Sequence, residues 1–208
     1  FGRLAGLDSE GYPYPVFLYA GLLPWQFFAS SLSRSGNSVV GGANLITKVY
    51  FPRLIIPMAS IGAGFIDFAI SFLILIGLMI YYGVMPTIST LMVLPLILAT
   101  IFTALSVGTF LSALTVAYRD FRYVLPFLTK IWMFLTPVIY AVTIVPEKWR
   151  WVLFLNPMCG IVEGYRSAIL GKPFAWSKIG MSFALASVAF VVAMIYFRRI
   201  ERQFADIV

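Results

Sequence analysis

Two ionisable side chains sit deep inside apolar runs, Asp67 and Lys130. A charge at that depth costs several kcal/mol unless it is paired or faces water. Each is therefore either a functional charge on a polar conduit or one half of a structural pair, and the two could neutralise one another. Lys130, about two turns into its run, could also bend back towards the cytoplasmic surface. Other chemistry is sparse. The chain has no histidine and a single cysteine, Cys159. That excludes an internal disulfide and a His/Cys metal cluster, and it removes the usual general base. Paired carboxylates, an HExxH motif and a GxxxxGK[ST] phosphate loop are all missing, so the chain does not bind ATP by that route. No catalytic residue and no metal ligand is nominated. An intramembrane enzyme would have to work through Asp67, Asp120 or Glu163.

These charges must be carried by lipid-facing elements. Of 208 residues, 61% are hydrophobic and 11% charged, and the mean hydropathy is +0.95. A soluble domain carries about 25% charged residues, so the solvent for most of this surface is lipid. The net charge of +7 falls in the breaks between apolar runs, where topology and anionic lipid head groups explain it better than nucleic acid does. Five segments are long enough to cross a bilayer: 15–33, 54–82, 91–118, 123–145 and 179–197. Each must be a helix, because an open sheet would leave backbone groups unpaired in hydrocarbon. The expected fold is an all-α, multi-pass integral membrane protein. Arg34, Lys48, Arg53, Arg119, Arg122, Arg198, Arg199 and Arg202 lie in one set of breaks; Arg3, Lys148, Arg150, Arg166 and Lys172 lie in the other. Eight against five puts the first set in the cytoplasm. Position 1 is Phe and residues 1–14 read as a loop, so the natural chain is expected to extend further N-terminally.

Three breaks carry more pattern than a loop needs. In "NLITKVYFPR", Asn44 can cap a short helix that Pro52 must end. Leu45 and Val49 fall one turn apart, as do Ile46 and Tyr50. So short a helix is unstable alone and needs a surface, which a bilayer or a partner protein could supply. "AYRDFRY" (117–123) holds Arg119, Asp120 and Arg122, as a local ion pair or as a contact for a cytosolic partner. The connection from Pro146 to Lys178 is half apolar. Trp149, Val152 and Leu153 fall on one helical side, Asn156-Pro157 breaks the pattern, and Glu163 and Arg166 stand at i, i+3. Two short outer helices and a loop anchored by Trp149 and Trp151 explain it equally well. Aromatics make up 17% of the chain. Trp25, Phe28, Trp132, Phe134 and Tyr140 could line a conduit with Asp67, offering ring faces on which sugar rings slide. Small residues recur four apart at Ser60/Gly64, Gly108/Ser112 and Ala189/Ala193, a weak signal for close helix packing.

Three stretches in order, "GLLPWQFFASSLSRSGNSVVGGANLITKVYFPRLIIP", "VAYRDFRYVLPFLTKIWMFLTPVIY" and "NPMCGIVEGYRSAILG", resemble the permease subunits of ABC-2-type polysaccharide exporters. That group moves O-antigen, capsule or teichoic-acid chains across the bacterial cytoplasmic membrane. The resemblance runs from Pro13 to the end and treats residues 1–208 as one N-terminally truncated transmembrane domain. It implies six membrane helices in the full chain, the first lying before residue 1 with an amphipathic cytoplasmic helix. It implies two permease copies and two ABC ATPase subunits, with ATP and magnesium held by the ATPase and no cofactor here. It places a cytoplasmic coupling helix on 43–51, with Asn44, Leu45, Lys48, Tyr50 and Phe51 and the nearby Arg119 and Arg122 facing the ATPase. It places outer gate helices on 147–155 and 157–170, with Trp149, Trp151, Asn156, Glu163 and Arg166. The cargo implied is a lipid-linked glycan or polyol-phosphate polymer among membrane lipids. The rivals are an ABC-2 exporter of drugs or small lipophilic molecules, an integral membrane glycan- or lipid-modifying enzyme, and a passive channel, for which no filter motif is present.

Overall fold

A computed structural model describes residues 11–42 and 51–201. Among these, all regular structure is helical. The α-helices are α1 (Tyr14–Gly41), α2 (Ile55–Gly62), α3 (Phe65–Tyr81), α4 (Val93–Ala117), α5 (Phe121–Leu135), α6 (Glu147–Leu153), α7 (Pro157–Leu170) and α8 (Trp176–Glu201), with 3-10 turns at Ile88–Met92 and Val142–Ile144. Three stretches combine the length and apolarity needed to cross a membrane: Ile55–Tyr81, Ile88–Ala117 and Trp176–Glu201. The expected spans 54–82, 91–118 and 179–197 fall on them. α1 contains the expected span 15–33 and, at 28 residues, reaches about 42 Å, but its second half is richer in Ser, Asn and Arg.

The fourth expected span, 123–145, is not one helix. α5 ends at Leu135, and Thr136 is extended, with φ −96° and ψ 135°. The cause is Pro137. Its ring disfavours helical backbone in the residue before it and supplies no N–H. The expected span 54–82 is also divided, by a tightened turn at Ala63–Gly64 in which the Gly64 N–H reaches the Ile61 carbonyl at 3.0 Å.

α1 and α4 form the centre and make the most extensive contact, with α8 packed on the far side of α4. The meeting faces are small. A methyl on Gly108 of α4 would come within 2.9 Å of the Ser35 hydroxyl of α1, and where α1 meets α5 one on Gly36 would come within 2.6 Å of the Leu125 side chain. α4 buries Thr100, Thr103, Ser106, Ser112 and Thr115, and each hydroxyl turns back to a carbonyl of its own helix at 2.8 Å. α8 presents Ser182, Ala186, Ala193 and Phe197 inward. Its remaining faces, like those of α3 and α5, expose large apolar side chains, as lipid contact requires.

α7 is the most enclosed element. Every residue from Met158 to Leu170 except Glu163 is buried, between α1, α4 and α8. Asn156 starts it, accepting from the Met158 N–H at 3.0 Å, with Pro157 in the first turn where its missing donor costs nothing. Gly171, at φ 69°, ends it in the left-handed conformation. The contact with α8 is backbone-close. The Gly160 N–H donates to the Ser182 hydroxyl at 3.1 Å, and a methyl on Gly160 would collide with the Lys178 carbonyl oxygen.

Gly160→Ala should therefore force α7 and α8 apart and destabilise the protein by about 1–3 kcal/mol, the usual range for overpacking. Gly77→Ala, where nothing lies within 4 Å of the added methyl, should leave stability unchanged or slightly raised. Thermal unfolding of the two variants in detergent checks the contrast.

Candidate functional site

The break after α5 creates a demand for hydrogen-bond donors. A helix end leaves its last carbonyls unpaired, and in a low-dielectric setting an unpaired carbonyl is costly. Side chains meet most of this demand. The Phe134 carbonyl accepts from the Tyr140 hydroxyl at 3.1 Å. The Trp132 carbonyl accepts from both the N–H and the hydroxyl of Thr136 at 2.9 Å. Arg166 on α7 then takes two carbonyls of the unwound segment, Val138 at 2.7 Å and Tyr140 at 3.2 Å. Arg150 on α6 takes Thr143 at 3.1 Å and Val145 at 2.8 Å. Two guanidiniums stand in for the missing helix donors, a task for which a planar fork with five N–H groups is suited.

Arg166 is enclosed while doing this. Its side chain is 3% exposed and pairs with Glu163 at 3.1 Å, itself 27% exposed, and its guanidinium lies 3.9 Å from the centre of the Phe17 ring. A buried ion is stable only with a partner and further hydrogen bonds, and Arg166 has both. α1 passes close enough to back the cluster because residue 21 is glycine. A methyl there would come within 3.1 Å of both Arg166 Nη2 and the Val138 carbonyl. A second tie runs through Asn156, whose amide donates to the Thr136 hydroxyl at 2.7 Å while its oxygen caps α7. Asn156, Glu163, Arg166 and Tyr140 thus form one cluster at the α5 break.

The other expected outer residues lie apart from it. Trp149 and Trp151 project from α6 and are 57% and 62% exposed. Trp25 and Phe28 are buried, and with Trp132 they form a packed aromatic cluster with centroids 5.3 to 6.4 Å apart. They join α1 to α5 within the chain. Phe134 is outside that cluster and 62% exposed.

Asp67 is exposed and pairs with Arg34 of α1, not with Lys130, which is exposed on α5. Gly64 lies beside the pair, where a methyl would sit 3.4 Å from Arg34 Nη1 and from Phe27, in van der Waals contact with both. At the opposite end of the bundle from α7, Arg53 donates to the Glu201 carbonyl. Arg122 donates to the Tyr123 hydroxyl at 2.9 Å and lies over its ring. Phe51 is half-buried, and Arg119 and Arg122 are exposed. Asn44, Leu45, Lys48 and Tyr50, with most of the expected helix 43–51, lie outside the described residues. Among the described residues no group of His, Cys, Asp or Glu is placed to hold a metal.

Thr136, Gly21, Gly160 and Arg34 were not singled out by sequence reasoning. The Gly160/Gly164 spacing was available as a packing signal. Arg34 was counted only as a topology marker, and nothing local ties residue 21 to residue 166.

Fold and site together define a polytopic helical membrane domain in which an enclosed helix, α7, braces the break after α5. A family model described as ABC-2 type transporter matches residues 1–170, ending where α7 ends, and the chain belongs to that family. It is also similar to two O-antigen export system permease proteins RfbA of Klebsiella pneumoniae, at 27% and 28% identity over 195 residues, covering 93% of this chain and 75% of each relative. The corresponding protein of Myxococcus xanthus is 28% identical over 196 residues, with the same coverage.

Two outcomes test the site. Asn156→Ala should lose about 1 kcal/mol through the cap besides the tie, and Thr136→Val should lose the tie together with the hydroxyl's bond to the Trp132 carbonyl. A double-mutant cycle in detergent should show coupling of about 1 kcal/mol between them; independent effects would mean that the tie contributes nothing. Asp67→Leu should reduce membrane abundance by leaving Arg34 unpaired, and adding Arg34→Leu should restore it.

Proposed function

We propose that this chain is the transmembrane subunit of an ATP-driven exporter that moves a lipid-linked polysaccharide across the bacterial cytoplasmic membrane. What carries the reading is the likeness to O-antigen export permeases along 93% of the chain, extending through the braced outer helix. Capsule and teichoic-acid polymers share the chemistry of a lipid-anchored chain and belong to the same proposal.

The parts take the following roles. Two copies of the chain flank the path, and two copies of a separate ABC ATPase bind ATP and magnesium below them. Asn44, Leu45, Lys48, Tyr50 and Phe51, with Arg119 and Arg122, receive the ATPase at the cytoplasmic end. α6 and α7 close the outer end, where Trp149 and Trp151 meet the leaving polymer or the head groups. Trp25, Phe28 and Trp132 act by setting the angle between α1 and α5, while Phe134, Tyr140 and Asp67 are left as the candidates for the path.

A second reading has a specific observation in its favour. Apolar clefts of about 650 Å³ between α3 and α4 and about 540 Å³ between α4 and α8 are of a size that suits small lipophilic molecules. Lipid acyl chains fill such lateral clefts equally well, so polymer export is preferred.

The test uses inverted membrane vesicles bearing this chain and its neighbouring ATPase, loaded with labelled lipid-linked polymer. ATP should drive the polymer to the vesicle interior, and replacing the ATPase phosphate-loop lysine should abolish both transfer and hydrolysis. ATP hydrolysis by the permease alone would overturn the assignment. Accumulation of lipophilic dyes with no polymer transfer would select the second reading.

A further inference from the structure

A proline break within a bundle ordinarily marks a hinge. Here the break is bridged twice by the same helix. Asn156 at the start of α7 holds Thr136, and Arg166, ten positions later and about 15 Å along the axis, holds the Val138 and Tyr140 carbonyls. The first tie holds α7 to the residue that ends α5, and the second holds it to the unwound segment, which the Tyr140 hydroxyl ties back to the Phe134 carbonyl of α5. Phe17 and Gly21 of α1 close the joint from behind.

We propose that Arg166 is a positioning residue that makes α5 and α7 one rigid strut, so that displacement of the inner end of α5 arrives at the outer surface as movement of α7. The inference rests on the exporter reading for its purpose, but the rigidity itself does not. Within the strut Glu163 balances the charge, while the work of joining falls to the guanidinium N–H groups, because backbone carbonyls need donors and not merely a neutral pair. A simple ion pair and a strut therefore respond differently to reversal. Exchanging the pair, as Glu163→Arg with Arg166→Glu, restores an ion pair but removes the donors facing Val138 and Tyr140 from position 166.

The experiment uses the full-length permease assembled with its ATPase, with Cys159 replaced by Ala and spin labels at Lys130→Cys on α5 and Pro173→Cys just beyond α7, both exposed positions. The native strut predicts a narrow distance distribution of the same width and mean with and without ATP. Arg166→Gln and the exchanged pair should each broaden it at least twofold and lower polymer exported per ATP hydrolysed at least tenfold, with basal hydrolysis retained. Arg166→Lys keeps the charge but lacks the fork and should lie between. An unchanged width in Arg166→Gln, full rescue by the exchanged pair, or a native distribution that shifts with ATP would each overturn the proposal. If Arg166→Gln does not accumulate, Arg166→Lys decides: a native width and a native export ratio in that variant would also overturn it. The widths are independent of cargo, so they stand or fall separately from the exporter reading.

Discussion

Backbone carbonyls released inside a low-dielectric bundle must find donors, and this constraint organises the end of the molecule that holds the α5 break. Pro137 stops α5 at Leu135, and the following segment is too apolar to leave for water. The Tyr140 hydroxyl meets the Phe134 carbonyl at the end of α5, and Arg150 and Arg166 meet carbonyls of the segment itself. To bring the Arg166 guanidinium that far in, α7 must be enclosed, and enclosure sets the terms for its neighbours. α1 needs glycine at 21, α7 needs glycine at 160, and α8 sets the small Ser182 against it. The small residues of this region follow from one broken helix.

Away from the break the problem is residual charge and hydroxyl groups. α4 returns buried hydroxyls to its own carbonyls, and Thr100 also meets the Tyr165 hydroxyl of α7 at 3.4 Å. Arg34 and Asp67 neutralise one another on an exposed face. Such a pair adds little to stability when solvated, but in lipid it removes the cost of two isolated charges.

Composition made the helical membrane fold readable, because hydrocarbon permits few alternatives for runs such as 54–82 and 179–197. Local grammar was also informative: Asn156-Pro157 begins α7, and Glu163 and Arg166 pair as their spacing suggests. The long-range partners were hidden. Hydropathy cannot distinguish Tyr123–Val145 as a span from a half-span followed by unwound chain, since both are apolar. The backbone preference around Pro137 decides between them, and it acts locally whatever the length of the run. Trp25 and Phe28 read as conduit aromatics because chemistry suggests sugar stacking, yet the faces of α1 and α5 turn them together. Arg34 finds Asp67 across 33 positions, and no local pattern reports that.

The account stands on the α5 break lying inside the membrane. From Phe121 to Phe134 the helix rises about 20 Å, roughly two-thirds of a 30 Å hydrocarbon core. A spin label at the exposed Phe134, in the assembled protein in bilayers, measures this directly by its relative access to oxygen and to a water-soluble nickel complex. The structure predicts high oxygen access, low nickel access and a depth of about 10 Å below the outer hydrocarbon boundary. Nickel access equal to that of a label at Trp151 on the exposed α6 would place the break in water and remove the reason for Arg166 to be where it is.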